Sequence, residues 1–404
     1  MSTIEVNKIT PVSGGTAIQV GESGDTITVP SGATITNSGT ANNFTSYRPN
    51  AKALIINGSM AVAQRGTSTA SITGGGFYTA DRFGTNNSGA FIGTWTQTQE
   101  SLSSGDAFND GFAKSLKMDN TTANASPAAN SQCRIDYNFE GQDLQLLKHG
   151  TASAEKTTLS FWIKATKTGT NIVKMYKPDA DRSCSIAYTV STTDTWEYKV
   201  LNFPADTSGA VIANDNTTGI QMSFGIAMGS SYTSGTLATT WAADASANAF
   251  VGQVNNADST SNNWEITGVQ LEVGEYTSAT LPPFQHESYA DNLLRCQRYY
   301  TKVTRGATDV SLCVGRWYNS SNTGGMFHLP TSMRSNPTLD IATGTNYYNA
   351  SGSAANNYFD DFTFNDAAPL ELGWYKSGLS GTQGDGMVFM TGNANASVAF
   401  SSEL

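Results

Sequence analysis

Trp264-Glu265-Ile266-Thr267-Gly268-Val269-Gln270-Leu271-Glu272-Val273 alternates apolar and polar side chains with period two. That pattern marks a β-strand with one face in a core. The phase slips midway: Trp264 and Ile266 are even, whereas Val269, Leu271 and Val273 are odd. Gly268 stands at the slip. One extra residue, at a glycine, predicts a β-bulge there.

The same grammar runs outward from this stretch. Leu159-Ser160-Phe161-Trp162-Ile163-Lys164 is apolar on both faces, as expected of a strand between packed layers. Trp196, Tyr198 and Val200 alternate with Glu197 and Lys199, predicting one buried and one wet face. Leu54-Ile55-Ile56 reads as a strand running into the tight-turn pair Asn57-Gly58. Long polar loops without helices separate these segments. Residues 50–287 are therefore predicted to form a two-sheet sandwich or jelly roll.

Composition agrees. Only 14% of the 404 residues are charged, Gly numbers 39, and Phe, Tyr and Trp number 18, 16 and 7. A disordered chain has fewer aromatics and more net charge. A helical bundle would be rich in Ala, Glu, Lys, Leu and Arg at helical spacing, which is absent. The net charge of −10 and the lack of a basic stripe exclude a nucleic-acid binder. No apolar run reaches the length of a membrane span, so no membrane insertion is expected. The opening MSTIEVNKITPV carries neither a basic nor an apolar leader region, so it does not read as a signal peptide. Cys133, Cys184, Cys296 and Cys313 are scattered, as are His149, His286 and His328. Separate thiols, and no metal or other cofactor, are the expectation.

Residues 1–49 hold apolar–polar–apolar triplets at Ile18–Val20, Ile27–Val29 and Ala33–Ile35, each bounded by Gly, Ser or Pro. Such short strands bury nothing alone. Stacked, or wound with identical chains, they form a β-stalk, the expected reading here; a partly ordered linker is the competing one. Residues 288–300 give the one clear helix signal. Ser288 is a cap with Asp291 three positions on, and Leu293, Cys296 and Tyr300 share one face. Residues 301–404 return to strands, predicted at 311–318, 326–328, 359–364, 386–390 and 397–400. They read as a smaller, distal β-sandwich. The expected architecture is thus all-β, with stalk, sandwich, linking helix and distal sandwich.

Catalytic constellations are sparse. There is no GxSxG elbow, and Ser351-Gly352-Ser353 reads as a polar loop. Asp360-Asp361 would point to opposite faces of a strand, and Glu140 with Asp143 reads as a solvated turn. Asp179-Ala180-Asp181 lacks the glycine and terminal glutamate of a calcium loop. Aromatic pairs in the distal region stand out instead: Trp317-Tyr318, Tyr347-Tyr348 and Trp374-Tyr375, beside Asn, Ser, Gly and Lys. Rings next to amides and hydroxyls suit the apolar C–H faces and hydroxyl edges of sugars. These six are the candidate glycan-binding residues. Packing in a strand core, or at an interface between copies, is the competing explanation for any pair.

Several segments carry a resemblance. Ala53–Met60 with Gln64-Arg65-Gly66, Tyr78–Phe83, Leu159–Lys164, Val269–Gly274, Pro283-Phe284 and Cys296–Tyr300 occur in this order. The set resembles the jelly-roll, carbohydrate-binding-like module of bacteriophage and prophage tail fibres. Leu329-Pro330 with Met333–Thr338 resembles the start of the distal domain that often follows. MSTIEVNKITPVSGG is similar to the starts of fibre proteins from phages of marine and cyanobacterial hosts. The resemblance implies an intertwined homotrimer in the virion tail, assembled in the host cytoplasm. Its N-terminal segment would dock to a tail or adaptor protein, and its distal end would meet a host surface glycan or protein. Arg65, Asp81 and Arg82 are expected to be structural, as an ion pair or turn lock. A polysaccharide-depolymerising tailspike, a purely structural virion fibre and a secreted adhesin are the alternatives.

Overall fold

The structure, a computed structural model, describes residues 53–303, 307–352 and 356–404. The repeats expected to form a β-stalk lie outside the described residues. Two six-stranded antiparallel sheets occupy residues 68–273. One consists of Gly84–Ser88, Gln132–Glu140, Gly169–Lys177, Arg182–Val190, Thr218–Met228 and Ala242–Ala243; the other consists of Ser68–Ile72, Thr94–Ser101, Lys114–Thr122, Thr157–Ala165, Glu197–Phe203 and Asn263–Val273. A single core fills the space between them, including Trp95, Leu116, Tyr137, Phe161, Phe224 and Trp264. All six are at most 1% exposed. The chain is all-β apart from short helical segments.

The bulge is where the phase slip put it. Pairing of Asn263–Val273 with Thr157–Ala165 shifts register between Thr267 and Gln270, and Gly268 has φ 63°. An added Cβ there would stand 2.7 Å from Cζ of Phe112, so both the backbone and the space demand glycine.

Two local expectations are corrected. Leu54–Ile56 is not a strand: Asn57 adopts φ 62° in a turn. Its buried side chain donates to the carbonyls of Val62 and Asp81 and accepts from the Val62 amide. The turn docks on the strand just past the bulge, because the Val269 amide donates to the Gly58 carbonyl at 2.9 Å. The 196–200 alternation holds at Trp196, which is buried, and turns over at Tyr198 and Val200. Tyr198 pairs with Trp162 and Val200 with Ser160, whereas Lys199 pairs with core residue Phe161. Tyr198 and Val200 therefore face outward. This strand is at the sheet edge, where the Lys199 ammonium escapes the core to meet Glu197 at 2.6 Å.

The helix spans Tyr289–Gln297 with Ser288 as cap, its hydroxyl accepting from the Asp291 amide at 3.1 Å. Cys296 packs with Ile56, Val62 and Tyr299. Beyond it, a three-stranded sheet (Tyr300–Lys302, Val398–Ser401, Thr338–Ile341) and a seven-stranded sheet share an aromatic core. Trp374 and Phe389 stack there at 4.2 Å. Sequence periodicity missed Thr338–Ile341, Tyr348–Gly352 and Glu371–Ser377. It also fused Asn356–Phe359 and Thr363–Ala367 into one strand. Ser351 and Gly352, read as loop, belong to a strand. All four cysteines are free.

One buried ion-pair cluster lies inside the sandwich, and a second joins the sandwich to the residue that ends the helix. Asp206 takes Lys177 at 2.5 Å and Arg182 at 2.9 Å. Glu140 takes Arg298 through two 2.7 Å bonds. Burial alone would raise both carboxyls, but these charged hydrogen bonds outweigh it and hold them below the ordinary range. Stability from a carboxyl lowered in the fold is present above its unfolded pKa, about 4, and is lost as pH falls through the folded value. Asp81, pushed up to about 6 mainly by burial, works oppositely between about pH 4 and 6. Thermal melting is thus expected to hold through pH 5 and to fall steeply below pH 4. In Asp206→Asn that acid-side slope is expected to flatten. An unchanged slope would remove Asp206 from this account.

Candidate functional site

The outward face of the seven-stranded sheet carries the candidate site. It is built on Ser311–Trp317, Asn322–His328 and Glu371–Ser377, which lie side by side. Register aligns Arg316, Gly324 and Tyr375 in one row across the sheet. Tyr318, just after its strand, folds back over Gly324. An added Cβ at Gly324 would come 2.9 Å from the Tyr318 ring, so the glycine is the seat of that ring. Tyr318 and Tyr375 then stack, with centroids 6.5 Å apart and planes at 27°. The Arg316 guanidinium lies 5.3 Å from the Tyr318 centroid.

A groove of about 760 Å³ runs on from this platform along the two strands. Val314 and Met326 stand along it, 73% and 46% exposed. Together they give the groove an apolar side. His328, also in the groove, faces Glu371 at 3.6 Å. The platform offers two ring faces, one cation and several hydrogen-bonding edges. Those are the features needed to hold a ring with an apolar face and polar rim.

The six aromatic candidates divide by strand geometry. Tyr318 and Tyr375, from separate sequence pairs, come together on the platform. Trp317, Tyr348 and Trp374 lie inside the fold. They are at most 3% exposed and sit in the distal core. Neighbouring residues in a strand face opposite ways, so an adjacent aromatic pair sends one ring inward. The Tyr348 hydroxyl donates to the carbonyls of Ala342 and Ser397. The Trp374 indole donates to Sγ of Cys313 at 3.1 Å. Tyr347 is half-buried against that same core and covers the Gly344 turn. Sequence inspection missed Arg316, Gly324 and His328. The sequence Arg316-Trp317-Tyr318 contained a signal, since Arg316 and Tyr318 are two apart and share a face.

Of the four paired carboxylates, Glu140, Asp360 and Asp361 are engaged by protein partners, and Asp143 is exposed. Besides the two bonds from Arg298, Glu140 accepts from Tyr299 at 2.5 Å and Gln142 at 2.6 Å. Its oxygens are filled by protein donors, which makes it structural. Asp361 pairs with Lys376 at 2.6 Å, and Asp360 accepts from the Asn346 amide at 2.9 Å. Among the described residues no cluster of His, Cys, Asp and Glu has the composition of a metal site. No described helix is long and apolar enough to cross a membrane.

No protein-family profile matches the chain, and no curated protein does. Solved structures give partial overlaps. The enzymatically active domain of bacteriophage CBA120 tailspike protein 4 matches at 12% identity and TM-score 0.29, over 55% of this chain and 21% of that one. A CBM4 structure matches at 13% identity and TM-score 0.21, over 39% of this chain and 83% of that one. A protein of Bacteroides thetaiotaomicron named for sugar binding matches at 16% identity and TM-score 0.28, over 55% of this chain and all of that one. TM-scores this low do not establish a shared fold.

Proposed function

We propose that this protein is a bacteriophage tail fibre that attaches the virion to a host surface glycan through its distal domain. The observation that carries the reading is the Tyr318–Tyr375 platform, with Arg316 at its edge and an open groove beside it. Binding proceeds without bond cleavage. The two rings take the apolar face of a sugar, and Arg316 with His328 and Glu371 offers partners to its hydroxyl or acidic groups. The order of fibre-like segments along the sequence supports the virion context, with the N-terminal segment docking to a tail or adaptor protein. We further propose a homotrimer, in which weak sites gain avidity by being linked.

Labelled protein is expected to bind host cells and to lose that binding after mild periodate oxidation of the cell surface, which opens vicinal diols. Light scattering on the full chain is expected to give three times the 42.7 kDa chain mass. Binding that survives periodate but not protease would replace the glycan with a surface protein. A monomer mass would remove the trimer.

A further inference from the structure

A second cavity, of about 510 Å³, opens on the outward face of the sandwich sheet that contains the bulge. It lies in the other sandwich, built from residues far from Tyr318 in sequence. One wall is the cross-strand pair Trp162 and Tyr198, with ring centroids 5.2 Å apart. The other wall comes from a strap. After Val273 the chain doubles back over the sheet, tied down where Asn202 donates to the Tyr276 carbonyl at 3.0 Å and Gln270 to the Pro282 carbonyl at 3.1 Å. The strap sets Phe284 edge-on against Phe112 at 4.8 Å, and His286 at 5.0 Å from Phe112. Phe112 reaches that position over Gly268, so the bulge read from the sequence makes room for a cavity wall.

The polar groups are few and differ in kind. Asp110 Oδ2 accepts the Trp162 indole N–H at 3.1 Å, which fixes both ring and carboxylate at the cavity. Ser278 and His286 are exposed along the lining, and Gln270 is buried beneath it. Apolar ring faces with a small number of fixed polar groups, in a cleft of this size, are the usual make-up of a small-ligand site. The lining includes one carboxylate and no lysine or arginine. An anionic ligand would meet Asp110 without a compensating strong cation, whereas vicinal hydroxyls would find an acceptor.

We propose that this cavity binds a neutral pyranose, its C–H face on Trp162 and Tyr198 and its hydroxyls toward Asp110. The site is independent of the distal platform and gives the chain two carbohydrate contacts of different chemistry.

The test is saturation-transfer-difference NMR on the full chain. The probes are the methyl glycosides of glucose, galactose, mannose and N-acetylglucosamine, with glucuronate as the anionic contrast. At least one neutral glycoside is expected to give a saturable signal, and glucuronate none at this site. Trp162→Ala is expected to weaken binding about tenfold or more, the scale of losing a central aromatic contact. Ser278→Trp, at an exposed strap position, is expected to block the cavity without disturbing the core. The part of the signal that Ser278→Trp removes is expected to persist in Tyr318→Ala, because that part reports the cavity and not the distal platform. The proposal is overturned if no neutral glycoside binds, if glucuronate binds equally at this site, or if Trp162→Ala and Ser278→Trp both bind like the parent. A signal lost in Tyr318→Ala and kept in Ser278→Trp would place the sugar on the distal platform. That outcome overturns this inference and leaves the distal reading standing.

Discussion

Replacing Arg82 with alanine is expected to destabilise the protein by about 3–5 kcal/mol, the scale of breaking a buried charge pair from one side. Arg82 is 1% exposed and bonds Glu403 at 2.7 Å and the Asn138 carbonyl at 2.5 Å. Its guanidinium lies 3.4 Å from the Tyr299 ring centroid, and Tyr137 is 5.1 Å away on the sandwich core side. Arg65 reaches the same Glu403 at 3.3 Å. Arg334 and Asn138 hold the carbonyls of Ser402, Glu403 and Leu404. One cluster thus ties the sandwich to the residues following the last distal strand. Arg82 has φ 73°, a left-handed backbone that costs a non-glycine residue about 1–2 kcal/mol and is retained by these contacts. Urea unfolding should show the loss. It should also broaden the transition, because the distal sheets lose one of their ties to the sandwich while the Arg298–Glu140 and Arg65–Glu403 pairs remain. A stability within about 0.5 kcal/mol of the parent, the range of an ordinary surface change, would contradict this role.

The second large effect falls on binding. Tyr318→Ala or Tyr375→Ala is expected to weaken a single-site glycan contact about tenfold each, near 1.4 kcal/mol. The two rings form one stacked platform for the same sugar, so the two losses should not add, and the double variant should fall short of a hundredfold. Folding should be spared at Tyr318, which is 37% exposed and outside the core. Trp374→Ala makes the contrast. That ring is fully buried against Phe389, so its removal should cost about 3–5 kcal/mol of stability. Any loss of binding would then follow from unfolding. Melting and binding measured on the same three variants separate the two roles. Equal melting losses at Tyr318 and Trp374 would show that the platform is core after all.

These residues show what was legible in sequence. The phase slip at Gly268 announced the bulge, because period two is a rigid rule and a single extra residue breaks it visibly. Ser288 and Asp291 announced the helix start through local hydrogen bonding. Arg65, Asp81 and Arg82 were recognisable as structural, although Glu403, the partner of Arg65 and Arg82, lies over 300 positions away and nothing local pointed to it. The outward turn of Tyr198 was hidden for a related reason. An apolar stripe on an edge strand has the same pattern whichever way it faces, and only pairing with Trp162 decides. Aromatic pairs failed as units for a simple reason: neighbouring side chains on a strand diverge. The platform required one ring from each of two pairs, brought together by a register that sequence does not display.

The central claim is glycan attachment through the distal platform, and an array of surface glycans tests it most directly. Full-length protein is expected to mark a coherent set of glycans sharing one terminal sugar. With the sandwich cavity blocked by Ser278→Trp, adding Tyr318→Ala is expected to erase that set while melting like the Ser278→Trp protein. No glycan above background, or an identical pattern from the doubly substituted protein, would contradict the account.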